Sequence, residues 1–336
     1  MNKLFPVFAL GAAALLSGCV SLFYSFEECT TIAETAVATS AGPLSGASWV
    51  YQLQSADPAS LAATDYDVVV MDYSADGSGD GEYTAAQIDV IRAGGPTTVL
   101  AYFSIGEAED YRYYFNPDWT FGRRGQPVRG APCWLALTNP DWRGNYKVQY
   151  WAPEWHAVVI DYLDRILAAG FDGVYLDIID GYEYWSDSDN REGFVLPERE
   201  SADRMMNLVL TIANHARSTD PDFLIVPQNG SPILEFDDGA GLFPAGAYLD
   251  TISGIGVEDL YYDATRAKDQ PDIDARLQYL RMIRDAGKAV LVVDYVDDGT
   301  DRAENTTRMA DFISRSTAEG FVPYVATDDR ELDQIQ

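Results

Sequence analysis

Eight short apolar segments, each followed by loop or helix signals, run along the chain from Trp49 to Ala326. Residues 49–53, 66–73, 99–105, 173–178, 223–226, 251–257, 289–295 and 321–326 are expected as strands. The run Val68, Val69, Val70, Met71 is apolar at every position, so both faces of that strand must be covered, as in a parallel sheet flanked by helices. Between the segments lie helix signals. Asp57 and Pro58 mark one start, and residues 84–93 place Ala85, Ile88 and Ile91 on one side. Residues 153–169 form an amphipathic stretch stopped by Gly170, and Met205, Leu208, Val209, Ile212 and Ala216 form a long stripe. Two more helices are expected over residues 273–286 and 306–318. Regular alternation with this count favours a closed (β/α)8 TIM barrel of the α/β class over an open doubly wound sheet. No Gly-x-Gly-x-x-Gly follows the first strand, which also argues against a dinucleotide fold.

The N-terminus reads Met-Asn-Lys, then an apolar stretch over residues 4–16, then Leu16, Ser17, Gly18 and Cys19. This is the form of a secretory signal ending in a lipobox, and the stretch is short of the roughly 20 residues that a spanning helix needs. Residues 1–18 are therefore expected as a lipoprotein signal peptide, 19–47 as a lipidated N-terminus and tether, and 48–336 as a single barrel domain. Lipid on Cys19 would anchor the chain to a membrane outside the cytoplasm, and Val20 in place of an aspartate favours the outer membrane of a diderm source. Cys29 and Cys133 remain; an oxidising compartment allows them to pair, and whether they meet is open. Neither lies in a Cys-x-x-Cys motif, so metal or redox use is not expected.

The formal charge of -30 excludes nucleic acid as a natural partner, because that binding depends on neutralising phosphates with Lys and Arg. Only four lysines occur, which suits a solubilising surface in salty surroundings. An alternative is a field that draws in a polycation.

The C-terminal ends of barrel strands open onto one face, where barrel enzymes do their chemistry. On this map the ends carry Asp72 with Tyr73, Ser104 with Glu107, Asp177 with Asp180, Gln228 with Asn229, Glu258, Asp294 with Tyr295, and Thr327. A lone acid after a strand is commonly a helix N-cap, a reading that applies most to Asp180 and Glu107. Asp177 differs: it follows Val174, Tyr175 and Leu176 and precedes Ile178 and Ile179, so its carboxylate is expected to be fixed and partly shielded from water. Two carboxylates without a metal or cofactor suffice for glycoside hydrolysis, and none of either is expected. Trp134, Trp142, Trp151, Tyr182, Tyr184 and Trp185 fall in loops near the same face and offer flat surfaces for sugars; Trp134 and Trp142 are equally suited to fastening the aromatic insertion 111–151 onto the barrel. The two histidines, His156 and His215, fall inside expected helices, so a Ser-His-Asp triad or a His-rich zinc centre has no basis, and no phosphate loop is present.

Five motifs in order carry a family resemblance: WVYQLQ ending at Gln54, VMDY ending at Tyr73, AYFSIGE ending at Glu107, GFDGVYLD ending at Asp177 and GIGVE ending at Glu258. Together they resemble glycoside hydrolase family 114, the endo-α-1,4-polygalactosaminidases, across essentially the whole chain after the tether. The resemblance implies a barrel that cleaves α-1,4 links in galactosamine-containing exopolysaccharide with retention, Asp177 being the nucleophile and Glu258 the general acid/base. Galactosamine without its acetyl group carries an ammonium, so subsites should present carboxylates, for which Asp72, Glu107, Asp180 and Asp294 are the candidates. Tyr73, Tyr102, Tyr182, Trp185, Gln228, Asn229 and Tyr295 are expected to complete the substrate-binding surface. One departure concerns the residue after the nucleophile: many relatives are expected to carry Asn there, and this chain has Ile178. Two other readings remain: a glycosidase acting on a different α-linked glycan, and a polysaccharide-binding lipoprotein that kept the barrel without turnover.

Overall fold

The computed structural model of the chain describes residues 27–31, 44, 48–122, 125–237 and 247–336. The apolar segments form eight parallel strands: β1 (Trp49–Gln52), β2 (Val68–Asp72), β3 (Thr98–Ser104), β4 (Gly173–Asp177), β5 (Leu224–Pro227), β6 (Gly254–Glu258), β7 (Ala289–Asp297) and β8 (Val322–Thr327). One backbone ladder runs from β1 through β5 in order and a second joins β6, β7 and β8. Between the two, Gln228 bridges Gly256, and the Ser253 N–H donates to the Ile225 carbonyl at 2.7 Å. The seam between β8 and β1 is crossed by a side chain, the Trp49 indole N–H donating to the Val322 carbonyl at 3.0 Å. The strands thus follow one another around a (β/α)8 barrel.

Among the described residues eight α-helices stand between them: α1 (Pro58–Ala62), α2 (Ala85–Arg92), α3 (Pro153–Ala168), α4 (Gly181–Ser186), α5 (Glu198–Thr219), α6 (Tyr248–Thr251), α7 (Gln270–Asp285) and α8 (Ala303–Ala318). The start of α1 follows its chemistry, with Pro58 in the first turn and the Asp57 carboxylate accepting the Ser60 N–H at 2.9 Å. Thr84 and Gln87 form a capping box at the start of α2.

Aromatic rings fill the barrel interior. Trp49 lies 5.8 Å from Tyr51 and 5.6 Å from Tyr324, and Tyr51 lies 5.2 Å from Tyr175, ring centre to ring centre. Gly256 on β6 makes room for Tyr175: a Cβ there would stand 1.8 Å from the Tyr175 hydroxyl. All four rings are buried, and aromatic burial of this kind dominates core energetics.

Two expected elements differ. The sixth strand was expected from residue 251, but Tyr248–Thr251 is a helical turn and the strand begins at Gly254. Arg217 and Lys288 hold the carbonyls of Thr251 and Ile252 in that turn, contacts from distant elements that a short apolar run cannot reveal. The expected loop 180–185 is helical as α4, which turns Tyr182 and Trp185 inward to burial, with the Trp185 indole donating to the Val148 carbonyl at 2.9 Å.

The insertion after β3 builds a three-stranded antiparallel sheet from Glu107–Glu109, Asn145–Val148 and Leu135–Thr138. Trp134 and Trp151 are buried in its packing, and Trp155 of α3 ties it down by donating to the Ile105 carbonyl at 2.9 Å. Cys133 is joined by a disulfide to Cys29, 104 positions away. Within the segment expected as a tether, Cys29 and Leu44 are buried, and the Leu44 N–H donates to the Ser253 carbonyl at 2.8 Å. Cys19 and the expected signal peptide lie outside the described residues. Among the described residues no helix is long and apolar enough to cross a membrane.

Candidate active site

A cleft of about 830 Å³ opens at the C-terminal ends of the strands, toward the large end of the roughly 300–1,000 Å³ usual for ligand pockets. Asp177 and Glu258 both line it, together with Tyr51, Asp72, Tyr102, Glu107, Asp180, Gln228, Asn229 and Tyr295. Nine carboxylates and three cations, Arg143, Lys147 and Arg330, lie along its wall, so its potential is negative.

Asp177 ends β4. The Tyr102 hydroxyl donates to its Oδ2 at 2.5 Å and the Ile178 N–H to its Oδ1 at 2.8 Å. Burial, and then repulsion from Glu258, raises this carboxyl well above the ordinary range. Glu258 ends β6 and accepts the Tyr295 hydroxyl on Oε1 and the Asn229 amide on Oε2, the latter at 3.0 Å. Burial raises Glu258 as well, and its hydrogen bonds from Tyr295 and Asn229 oppose that rise. Two carboxyls of raised proton affinity thus face one cleft, an arrangement that lets one hold a proton while the other carries charge.

The backbone turns sharply past each of these strand ends. Ile178, Asn229 and Asp259 have φ of 62°, 59° and 49°. Asn and Asp enter this left-handed region readily, whereas a β-branched residue there is strained by on the order of 1–3 kcal/mol. The turn at Ile178 is seated on Gly106, where a Cβ would stand 2.3 Å from the Ile178 carbonyl oxygen. The departure noted at position 178 is therefore a strained isoleucine beside the carboxylate.

Several residues expected to bind substrate have other employment. Tyr73, Tyr182 and Trp185 are buried and do not line the cleft. Asp294 is fully buried and its two oxygens accept the backbone N–H groups of Leu260, Tyr261 and Tyr262 at 2.7–2.9 Å, organising the loop after β6. Burial raises Asp294 to about 6 against those bonds. Asp72 lines the cleft, but Arg112 grips both its oxygens at 2.7 and 2.8 Å. Glu107 is not a helix cap: it lies buried in the cleft wall, where Asn139, Asn145 and Lys147 hold its carboxylate at 2.9, 3.2 and 2.5 Å. Asp180 does open to solvent at the cleft, while the protein crowded around it, with Glu183 adding repulsion, raises it to about 6.

Sequence reasoning did not single out Tyr51, Glu109, Arg112, Lys147, Arg276 or Arg330. Tyr51 donates to Gln228 Oε1 at 3.1 Å, and Arg276 donates to the carbonyls of Glu258 and Asp259 at 2.9 and 2.8 Å. Tyr51 stands one position from a strand end and was legible there; the basic residues come from loops, a helix and, for Lys147, a strand of the insertion, none of which carries a local signal. Among the described residues no group of three His, Cys, Asp or Glu gathers as a metal site.

The family model described as glycoside-hydrolase family GH114 matches residues 30–336. An uncharacterized protein of Thermotoga maritima is 41% identical over 316 residues, covering 94% of this chain and 90% of its own. An uncharacterized protein of Methanocaldococcus jannaschii is 43% identical over 288 residues, covering 85% and 77%. The fold is also that of the glycoside hydrolase domain of PelA from Pseudomonas aeruginosa, with a TM-score of 0.60 at 16% identity over 87% of this chain and 98% of that one. Ega3 of Aspergillus fumigatus, solved in complex with galactosamine, superposes with a TM-score of 0.58 at 16% identity, covering 89% and 95%. With a strand-end carboxylate pair in one cleft and a family match across the barrel, the chain belongs to glycoside-hydrolase family GH114 and is a glycoside hydrolase.

Proposed function

We propose that the protein is a retaining endo-glycosidase that hydrolyses α-1,4-linked galactosamine-containing exopolysaccharide, with Asp177 and Glu258 as its catalytic pair. The observation that carries this reading is the cleft itself: two mutually repelling carboxyls at the ends of β4 and β6, set in a strongly acidic wall. In the first step the Asp177 carboxylate attacks the anomeric carbon as Glu258 gives its proton to the glycosidic oxygen, which leaves as a hydroxyl. In the second, Glu258 takes a proton from water, and the water oxygen displaces Asp177 from the anomeric carbon. A retaining pair stands about 5–5.5 Å apart. The Tyr102 hydroxyl orients Asp177, and the Tyr295 hydroxyl with the Asn229 amide orients Glu258.

An unacetylated galactosamine polymer is a polycation, which the acidic wall attracts, and Ega3, of similar fold, was solved with galactosamine. Trp142, 58% exposed on the cleft rim, offers a flat face to a sugar ring. In this reading the lipobox-like sequence ending at Cys19 supports a lipid anchor on a membrane outside the cytoplasm, and the Cys29–Cys133 disulfide suits an oxidising compartment.

One observation favours the two roles exchanged: Glu258 accepts two side-chain donors, which stabilise it as an anion. Trapping with a fluorinated galactosaminide and mapping the labelled peptide decides between them, an adduct on Asp177 being expected. The reading as a whole is tested by incubating the mature protein with deacetylated and acetylated polygalactosamine. Mass spectrometry should show oligomers, and NMR should show the α-anomer first. Binding without cleavage, or cleavage of only other α-glycans, would replace it.

A further inference from the structure

We propose that Arg330 is a positioning residue for Glu258, acting through Tyr295, with Asp259 as the counter-charge that limits how much of its positive field reaches the carboxyl. This rests on the reading of Glu258 as the proton donor.

Arg330 lies in the segment after β8, residues 328–336, which runs along the seam where β8 and β1 share no ladder. The Leu332 carbonyl accepts the N–H groups of Leu53 and Gln54 at 3.0 and 3.2 Å. Gln52 donates to the Asp333 carbonyl at 3.2 Å and Tyr324 to that of Gln334 at 3.3 Å. The segment is therefore pinned to the barrel on both sides of the seam, and Arg330 is fixed with it. Its φ of 61° departs from ordinary backbone, a strain that the pinning must hold.

From there the guanidinium makes two contacts that lead to Glu258. Nη2 donates to both Asp259 oxygens at 2.8 Å, and the guanidinium carbon stands 4.3 Å from the centre of the Tyr295 ring. The Tyr295 hydroxyl donates to Glu258 Oε1. A cation over the ring face draws electron density from the phenol and strengthens its O–H as a donor. Asp259 follows Glu258 directly, so the pair brackets the carboxyl with opposite charges.

Glu258 is faced by Tyr51 from β1, Tyr175 and Asp177 from β4, Gln228 and Asn229 past β5, Asp259 past β6, Arg276 from α7, Tyr295 from β7 and Arg330 past β8. Within this set Arg330 favours the ionised form of Glu258, and Asp259 favours the protonated form. Replacing one or the other by a neutral residue must therefore move the proton affinity in opposite directions. A purely structural role has no such signature, since loss of either partner then breaks the same ion pair.

The test is the pH profile of kcat/KM on deacetylated polygalactosamine for wild type, Arg330→Gln, Arg330→Lys and Asp259→Asn, with Glu258→Gln as control. Arg330→Gln is expected to move the alkaline limb up by about half a pH unit or more, Asp259→Asn to move it down by a similar amount, and Arg330→Lys to leave it near wild type. Opposed movement of the acid limb instead supports the same inference with the two catalytic roles exchanged. Limbs that stay still, or move the same way, overturn it. If Arg330→Gln does not fold, the direction for Asp259→Asn decides alone. Wild-type activity in Glu258→Gln would instead remove the reading of Glu258 on which the inference rests.

Discussion

Asp177 is held in a place that suits the chemistry proposed for it better than its stability. Burial and the neighbouring Glu258 raise its carboxyl, so the folded chain binds a proton there more readily than the unfolded chain does. Stability at this site is then fully present below the ordinary Asp value of about 3.9 and is lost as pH climbs from there through the raised value. Asp177→Asn should therefore raise Tm at pH 8 and leave it unchanged near pH 3.5, as thermal melts across pH would show; an equal Tm at pH 8 would contradict the burial argument. Other acids look the same in sequence. Asp72 ends β2 and Glu107 follows β3, but their oxygens are committed to Arg112 and Lys147, each 40 positions further on. The places of Asp177 and Glu258 in the cleft were legible because a strand end fixes where a carboxylate points; the partners that hold Asp72 and Glu107 arrive by tertiary packing.

At the scale of elements, the pair depends on how β4 and β6 terminate. Left-handed residues follow both strands, and the one after β4 rests against Gly106 of the loop after β3. Gly106→Ala would drive a methyl into the Ile178 carbonyl, an overpacking that costs about 1–3 kcal/mol unless the turn shifts. The expected outcome is a lower Tm together with a kcat reduced by about tenfold or more, because the shift is passed to Asp177. Unaltered Tm and kcat would show that the turn does not position the carboxylate. Strands were the readable part of the chain, since each apolar run must be buried on both faces. The helical turns α4 and α6 were not, being shorter than the window over which periodicity distinguishes helix from strand or loop. The helical form of α4 is what turns Tyr182 and Trp185 into the core and away from the cleft.

For the whole molecule, the formal charge of -30 and the acidic cleft act in the same direction on a cationic polymer. Salt should then lower kcat/KM on deacetylated polygalactosamine by several-fold between about 0.05 and about 0.5 M while leaving an acetylated, neutral polymer little affected. Parallel curves for the two would assign the surface charge to solubility alone. The cleft brings together residues from the ends of β1 to β7 and from the segment beyond β8, and the proposed mechanism requires that Asp177 and Glu258 work as one pair. The most direct check is the rate of oligomer release from deacetylated polygalactosamine by wild type, Asp177→Asn and Glu258→Gln, each verified as folded by circular dichroism. Wild type should release oligomers, and each variant should be slower by about a thousandfold; release by either variant at the wild-type rate would contradict the assignment.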